Sequence, residues 1–131
     1  AVDDAHHFLG EFAPDRANPG RGWIAIRANQ LDPTELMQNL ERGLFYASTG
    51  VVLASLEITP TQISVEIAPD ADFKYSTTFI GDSGRVLATL PGRSAKYDLV
   101  SDQSAVLHYV RARIEDSGGR RAWTQPVFIR P

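Results

Sequence analysis

Cysteine is absent from this chain. Disulfides and thiolate metal sites are therefore excluded, and the redox compartment stays open. No apolar run approaches the roughly 20 residues of a membrane-spanning helix, so no membrane partner is expected. No charged region followed by an apolar stretch comes after Ala1, so no signal peptide is visible. A mature or excised chain would read the same way, and localisation stays unknown. Basic charge is scarce too: 13 Lys and Arg against 16 Asp and Glu leave a net charge of -3. That balance offers no basic face, so no nucleic-acid partner is expected. Arg111, Arg113, Arg120 and Arg121 are interleaved with Glu115 and Asp116 and read as solvated strand faces and a turn. Histidine occurs three times only. No internal repeat and no low-complexity segment is present.

What remains is ordinary globular composition, 43% hydrophobic and 22% charged over 131 residues. A chain of this size is one domain, or one domain with an appendage, and can bury a core.

The first thirty residues differ from the rest. Ala1 to Gly10 is rich in acid and histidine. Phe12 to Gly22 contains Pro14, Asn18, Pro19, Gly20 and Gly22 and reads as an irregular loop. Trp23 to Arg27 is a short apolar run of strand type. A helix is predicted next, between about Pro33 and Arg42. Asp32 suits the cap, Pro33 the first helical position, and Glu35 completes a capping box. Leu36, Leu40 and Leu44 recur every fourth residue beside Met37 and form one apolar stripe. Gly43 is placed to end the helix in a left-handed conformation.

After Gly50 the period switches to two, that of a half-buried strand. Val52, Ala54, Leu56 and Ile58 are expected on one face of a first strand. Ile63, Val65 and Ile67 follow on a second, with Gln62, Ser64 and Glu66 outward. Phe73, Tyr75, Thr77 and Phe79 line a third. Gly81-Asp82-Ser83-Gly84 reads as a hairpin turn. Val86, Ala88 and Leu90 form a fourth strand, Ala95, Tyr97 and Leu99 a fifth, and Val106 to Ile114 a sixth containing His108. A seventh runs from Trp123 to Ile129. About seven short strands broken by frequent turns predict a mainly β fold, an antiparallel immunoglobulin-like β-sandwich. Leu56, Val65, Phe79, Val110, Ala112 and Ile114 are the expected core.

The sharpest chemical feature is Asp3-Asp4-Ala5-His6-His7. Carboxylates and neutral imidazoles ligate zinc, manganese or iron. On a strand, Asp4 and His6 would project to the same side and could meet one metal. Asp3 and His7 would point elsewhere or support the ligands from behind. The competing reading is a frayed, charged terminus, because a metal site takes roughly three or four ligands and Asp-x-His supplies two. His108, on an apolar strand face, reads as a packed, hydrogen-bonded histidine. Ser48-Thr49-Gly50 reads as backbone capping, since no general base lies nearby in sequence. Gly81 to Gly84 is no phosphate cradle, having no lysine and no helix start after it. Trp123 reads as core or inter-sheet packing rather than a sugar platform. No catalytic residue is assigned.

The segment Val2-Asp3-Asp4-Ala5-His6-His7 resembles the last metal-binding motif of the PHP superfamily, in which an Asp-x-His pair closes a multinuclear metal centre. Arg42 to Gly50 (Arg-Gly-Leu-Phe-Tyr-Ala-Ser-Thr-Gly) resembles the segment after the final helix in the branch related to carbaryl-type hydrolases, the CehA/McbA group. Val110 to Ile129 is similar to the closing strands of the same proteins. The resemblance implies that residues 1–50 are the C-terminal end of a PHP metal-binding domain, a strand–helix remnant of its barrel. Residues 51–131 would then be a β-sandwich accessory domain. It implies Asp4 and His6 as metal ligands, with a divalent metal (zinc, manganese or iron) held in the full-length parent and none in this chain. The implied partners are the N-terminal PHP barrel of the same protein and a small phosphoester or related substrate. The chain departs from the family in lacking its opening His-x-His motif and its further histidine and glutamate ligands, so the isolated chain would have an incomplete active site.

Two functions thus stand side by side: the tail of a phosphoesterase-like hydrolase, or a self-standing β-sandwich binding module for protein or carbohydrate. The loop after the N-terminal segment is rich in proline and glycine and carries little apolar area. Deleting Ala1 to Gly10 should therefore leave the melting temperature of the β domain unchanged in a thermal scan. A large loss would mean that the segment is docked.

Overall fold

The computed structural model describes residues 4–10, 12–100 and 107–129. Strand accounts for 43% of them and helix for 10%, and every strand pairing is antiparallel. The expected mainly β, sandwich-like character is therefore present.

Strand β1 (Trp23–Ile26) leads into helix α1 (Pro33–Glu41), and β2 (Phe45–Ser48) returns antiparallel to β1. The Asp32 carboxylate caps the helix by accepting from the Glu35 amide at 2.9 Å. Glu35 does not close the box. Its Oε1 instead accepts from the Asn29 amide at 2.8 Å, holding the approach to the helix. Gly43, at φ 73°, ends the helix: its amide donates to Leu40 O and the Leu44 amide to Asn39 O. That double closure requires a left-handed residue, which glycine adopts without a Cβ penalty. Leu36 and Leu40 are half-buried, Met37 is exposed, and no residue of α1 is fully buried.

The smaller sheet has the order β3-β4-β7, from β3 (Leu53–Ile58), β4 (Gln62–Ile67) and β7 (Ser94–Asp98). The larger adds β5 (Tyr75–Ile80), β6 (Val86–Pro91), β8 (Tyr109–Asp116) and β9 (Arg121–Thr124) to the first pair. Its order is β1-β2-β9-β8-β5-β6, and β10 (Val127–Phe128) also pairs with β8. The seventh expected strand is thus two, β9 and β10. Pro126 between them has no amide to donate. At the break, the Thr124 hydroxyl accepts from the Ala112 amide at 2.9 Å. The Ser48 hydroxyl similarly serves the turn after β2, donating to Val51 O and accepting from the Gly50 amide.

Ile63, Val65, Phe79, Val110, Ala112 and Ile114 are fully buried and meet between the sheets, and the Phe79 and Tyr97 rings stack across the gap at 5.1 Å. Each large side chain buried there contributes about 1.5–3 kcal/mol of apolar burial. Leu56, expected in this core, is half-buried at its margin. The first strand departs further from its expected face. A register shift between Leu53 and Ser55 changes the phase, so Leu53 packs inward while Val52 and Ala54 are exposed. A bulge inserts one residue and resets alternation, which period counting cannot detect. Val106 lies outside the described residues. Ladders from β1 and β2 reach β9, so the hydrogen-bonded sheet runs across the position, residue 50, where sequence divides the chain.

Thr77 faces Leu90 and Ile114 in register, is fully buried, and its hydroxyl has no hydrogen-bond partner among the described residues. Thr77→Val keeps the shape and removes the unsatisfied group. It should stabilise the fold by about 1 kcal/mol in a denaturant titration. Val110→Asp should abolish the cooperative transition, and an unchanged midpoint for either variant would contradict this packing.

Candidate functional site

The acidic, histidine-bearing N-terminus is a self-tied loop. The amides of His6 and His7 both donate to Ala17 O, at 2.8 and 3.0 Å. Asn18, buried beneath them, donates to His7 O and accepts from the Ala13 amide. Arg21 donates to the carbonyls of Ala13 and Pro14. Asp4 has φ 49°, so Asp4 to His6 is not an extended strand, and the same-side geometry expected of a strand does not apply. A short polar residue tolerates that left-handed conformation. His6 Nδ1 donates to the Asp4 backbone carbonyl at 2.7 Å. The proton on Nδ1 leaves Nε2 as the nitrogen able to bind a metal. Asp4, His6 and His7 are all exposed, and Asp3 lies outside the described residues. Among the described residues no group of three or more histidines and carboxylates is arranged to hold a metal ion.

His108 is hydrogen-bonded, as expected, but not packed: its side chain is 79% exposed. The residue precedes β8, and its neighbour Leu107 takes the buried place in the core. Its Nδ1 lies 2.9 Å from Asp82 Oδ2, and its amide donates to the same oxygen at 3.0 Å. That amide, then the imidazole, holds the Asp82 carboxyl below its ordinary range. The pair ties the β5–β6 turn to the start of β8.

Arg120 also departs from expectation. Rather than lying on a solvated face, it is half-buried in the β8–β9 turn. Nε donates to Asp116 Oδ2 at 2.6 Å and Nη1 to Asp70 Oδ2 at 2.7 Å. The guanidinium stands 4.3 Å from the Phe73 ring centroid, and a Cβ on Gly50 would overlap its stem. One cation thus joins the β4–β5 connection, the β8–β9 turn and the segment entering β3. Arg121, by contrast, is exposed and pairs with Glu115 at 3.0 Å. Trp123 corrects a further expectation. It aligns with Ala47 and Arg113 between the buried Ala122 and Thr124, which places it on the outer face of the larger sheet.

Sequence reasoning missed an apolar groove of about 510 Å³ at the open side of the sandwich. Ala25, Leu44 and Tyr46 line one wall, and Leu53, Leu56 and Ile58 the other. The Tyr46 hydroxyl accepts from the Leu53 amide at 3.1 Å, pinning one end. The signal was the run Leu44-Phe45-Tyr46-Ala47-Ser48 between Gly43 and Gly50, whose aromatic content favours a strand. No protein-family model, curated protein or solved structure matches this chain.

Burial pushes Asp116 up, but the Arg120 guanidinium and the amides of Arg120 and Gly118 outweigh it and hold its carboxyl below the ordinary value of 3.8. A carboxyl with a lowered folded value contributes stability above its ordinary value and loses it as pH falls through the folded one. Asp116→Asn should cost about 2 kcal/mol or more near neutrality, since it places an amide where a buried acceptor stood. The gap to the parent chain should narrow below about pH 4 in thermal melts. A gap independent of pH would show that the ion pair is not its source.

Proposed function

We propose that this chain is the C-terminal part of a PHP-superfamily metal-dependent hydrolase of phosphoesterase type. On this reading residues 1–50, with β1 and α1, are the end of the metal-binding domain, and the sandwich is its accessory domain. The supporting observation is the orientation of His6. Its Nδ1 is committed to the Asp4 backbone carbonyl, and the His6 and Asp4 side chains are both exposed. Metal-bound histidines characteristically donate their second nitrogen in this way. On this reading Asp4 and His6 would supply two ligands by their chemistry, and the others must come from a barrel. Phe8, Leu9, Phe12, Leu31 and Met37 are exposed, and a barrel would cover apolar side chains of this kind.

A bound divalent metal would supply Lewis-acid activation of water and of the scissile group. Asp4 and His6 would hold it, and the Asp4 carbonyl would fix the His6 tautomer. Two ligands on an exposed loop lose ordering entropy on binding, so the isolated chain should bind metal weakly and turn over nothing. The second reading, a self-standing β-sandwich that binds protein or carbohydrate, is favoured by the apolar groove beside β3.

The test compares this chain with its full-length parent on a generic phosphoester with added zinc, manganese or iron. The chain alone should be inert and the parent active, and Asp4→Ala or His6→Ala in the parent should lower metal content and turnover together. Equal turnover from both proteins would refute the proposal. A parent inactive with every metal would favour the binding module.

A further inference from the structure

The larger sheet runs six strands across, β1-β2-β9-β8-β5-β6, while the smaller has three. The smaller cannot cover all of the larger. Tyr46, on β2, reaches the free side of β3 with its hydroxyl, so β1 lies beyond that edge. The apolar groove is the uncovered strip, bounded by β3 on one side and by β1 and β2 on the other.

The free edge of β3 carries unused backbone groups. The Thr59 amide donates to Gln62 O, and Glu57 aligns with Ser64. Alternation therefore turns the amides and carbonyls of Glu57 and Thr59 toward β4, and those of Leu56 and Ile58 toward the groove. Among the described residues no strand pairs with this edge. Proteins commonly blunt such an edge with charge, proline or a covering element. Here the bulge and the Tyr46 hydroxyl serve the start of β3, while at its end Ile58 is 45% exposed and Leu44 across the groove 41%.

We propose that the groove binds an extended segment of a separate polypeptide, which adds to β3 as a fourth strand. Its backbone would pair with Leu56 and Ile58, and its alternate apolar side chains would fill the space between Leu56, Ala25 and Tyr46. Main-chain pairing with pockets for every second side chain is the established physics of strand addition. The charged lining residues are one cation, Arg27, and one anion, Glu57, which suits a segment without net charge. A second copy of this chain fits poorly. Bringing its β3 alongside would drive its larger sheet into the space held by β1 and β2. Six residues of β3 offer roughly 20 Å of edge, the length of an ordinary strand. This inference does not depend on the hydrolase reading.

The test uses a labelled, end-capped heptapeptide of alternating threonine and valine with short serine–glycine tails, titrated into the 131-residue chain. Anisotropy should saturate at one peptide per chain, with amide shift changes centred on Leu56 and Ile58. Ile58→Pro removes one edge amide without touching the β3–β4 ladder and should weaken binding at least about tenfold. Ala25→Trp, which fills the groove floor, should do the same and serves if the proline variant melts. A scrambled control bearing aspartate at the valine positions should not bind. Saturation that ignores both variants, shift changes centred elsewhere, or no binding at about 1 mM peptide would overturn the proposal. Self-association through β3 without peptide would overturn it in favour of a second copy.

Discussion

A sheet of three strands has to cover the inner face of a sheet six strands wide. This mismatch governs the rest of the molecule. Where the two overlap, β4 and β7 lie over β5 and β8, and Ile63, Val65, Phe79, Val110 and Ile114 become fully inaccessible. Where they do not, Ala25 and Tyr46 line an open groove, and β3 keeps a free edge. The core stands over one half of the larger sheet, and the candidate binding surface is the other half of the same face.

The overlapping half is secured by β8, which pairs with β5 on one side and with β9 and β10 on the other. Its last residue, Asp116, turns the chain into β9 and gathers the Arg120 amide and guanidinium and the Gly118 amide onto one buried carboxylate. Because Arg120 also reaches Asp70 and covers Phe73, the ion pair holds three segments far apart in sequence. A buried carboxylate is tolerated only when so fully satisfied. At the opposite end Asp82 does a lighter version of the same work through the His108 amide and ring.

Local chemistry made much of the fold legible. The Asp32 cap, the Gly43 stop and the strict alternation through β4 and β8 depend on neighbours a few residues away, and each stands where the sequence puts it. The misreadings share a cause in long-range geometry. The bulge in β3 reverses which residues face inward. His108 is exposed because the alternation of β8 does not continue before Tyr109, and Leu107 packs in the core in its place. Arg120 is drawn inward by Asp70, fifty residues away. The Asp4–His6 element was visible as a pair of ligand types, but its loop conformation follows from Asn18 and Ala17, which carry no ligand signature. The groove is a property of how two sheets overlap, and composition or spacing does not encode that directly.

The open edge of β3 is the feature on which a binding role rests most directly, and amide hydrogen exchange of the uncomplexed chain reads it residue by residue. The account predicts alternation along the strand. The Glu57 and Thr59 amides, paired with β4, should be protected, while those of Leu56 and Ile58 should exchange at least about a hundredfold faster. Uniform protection across all four would mean that the edge is already covered, and would contradict the account.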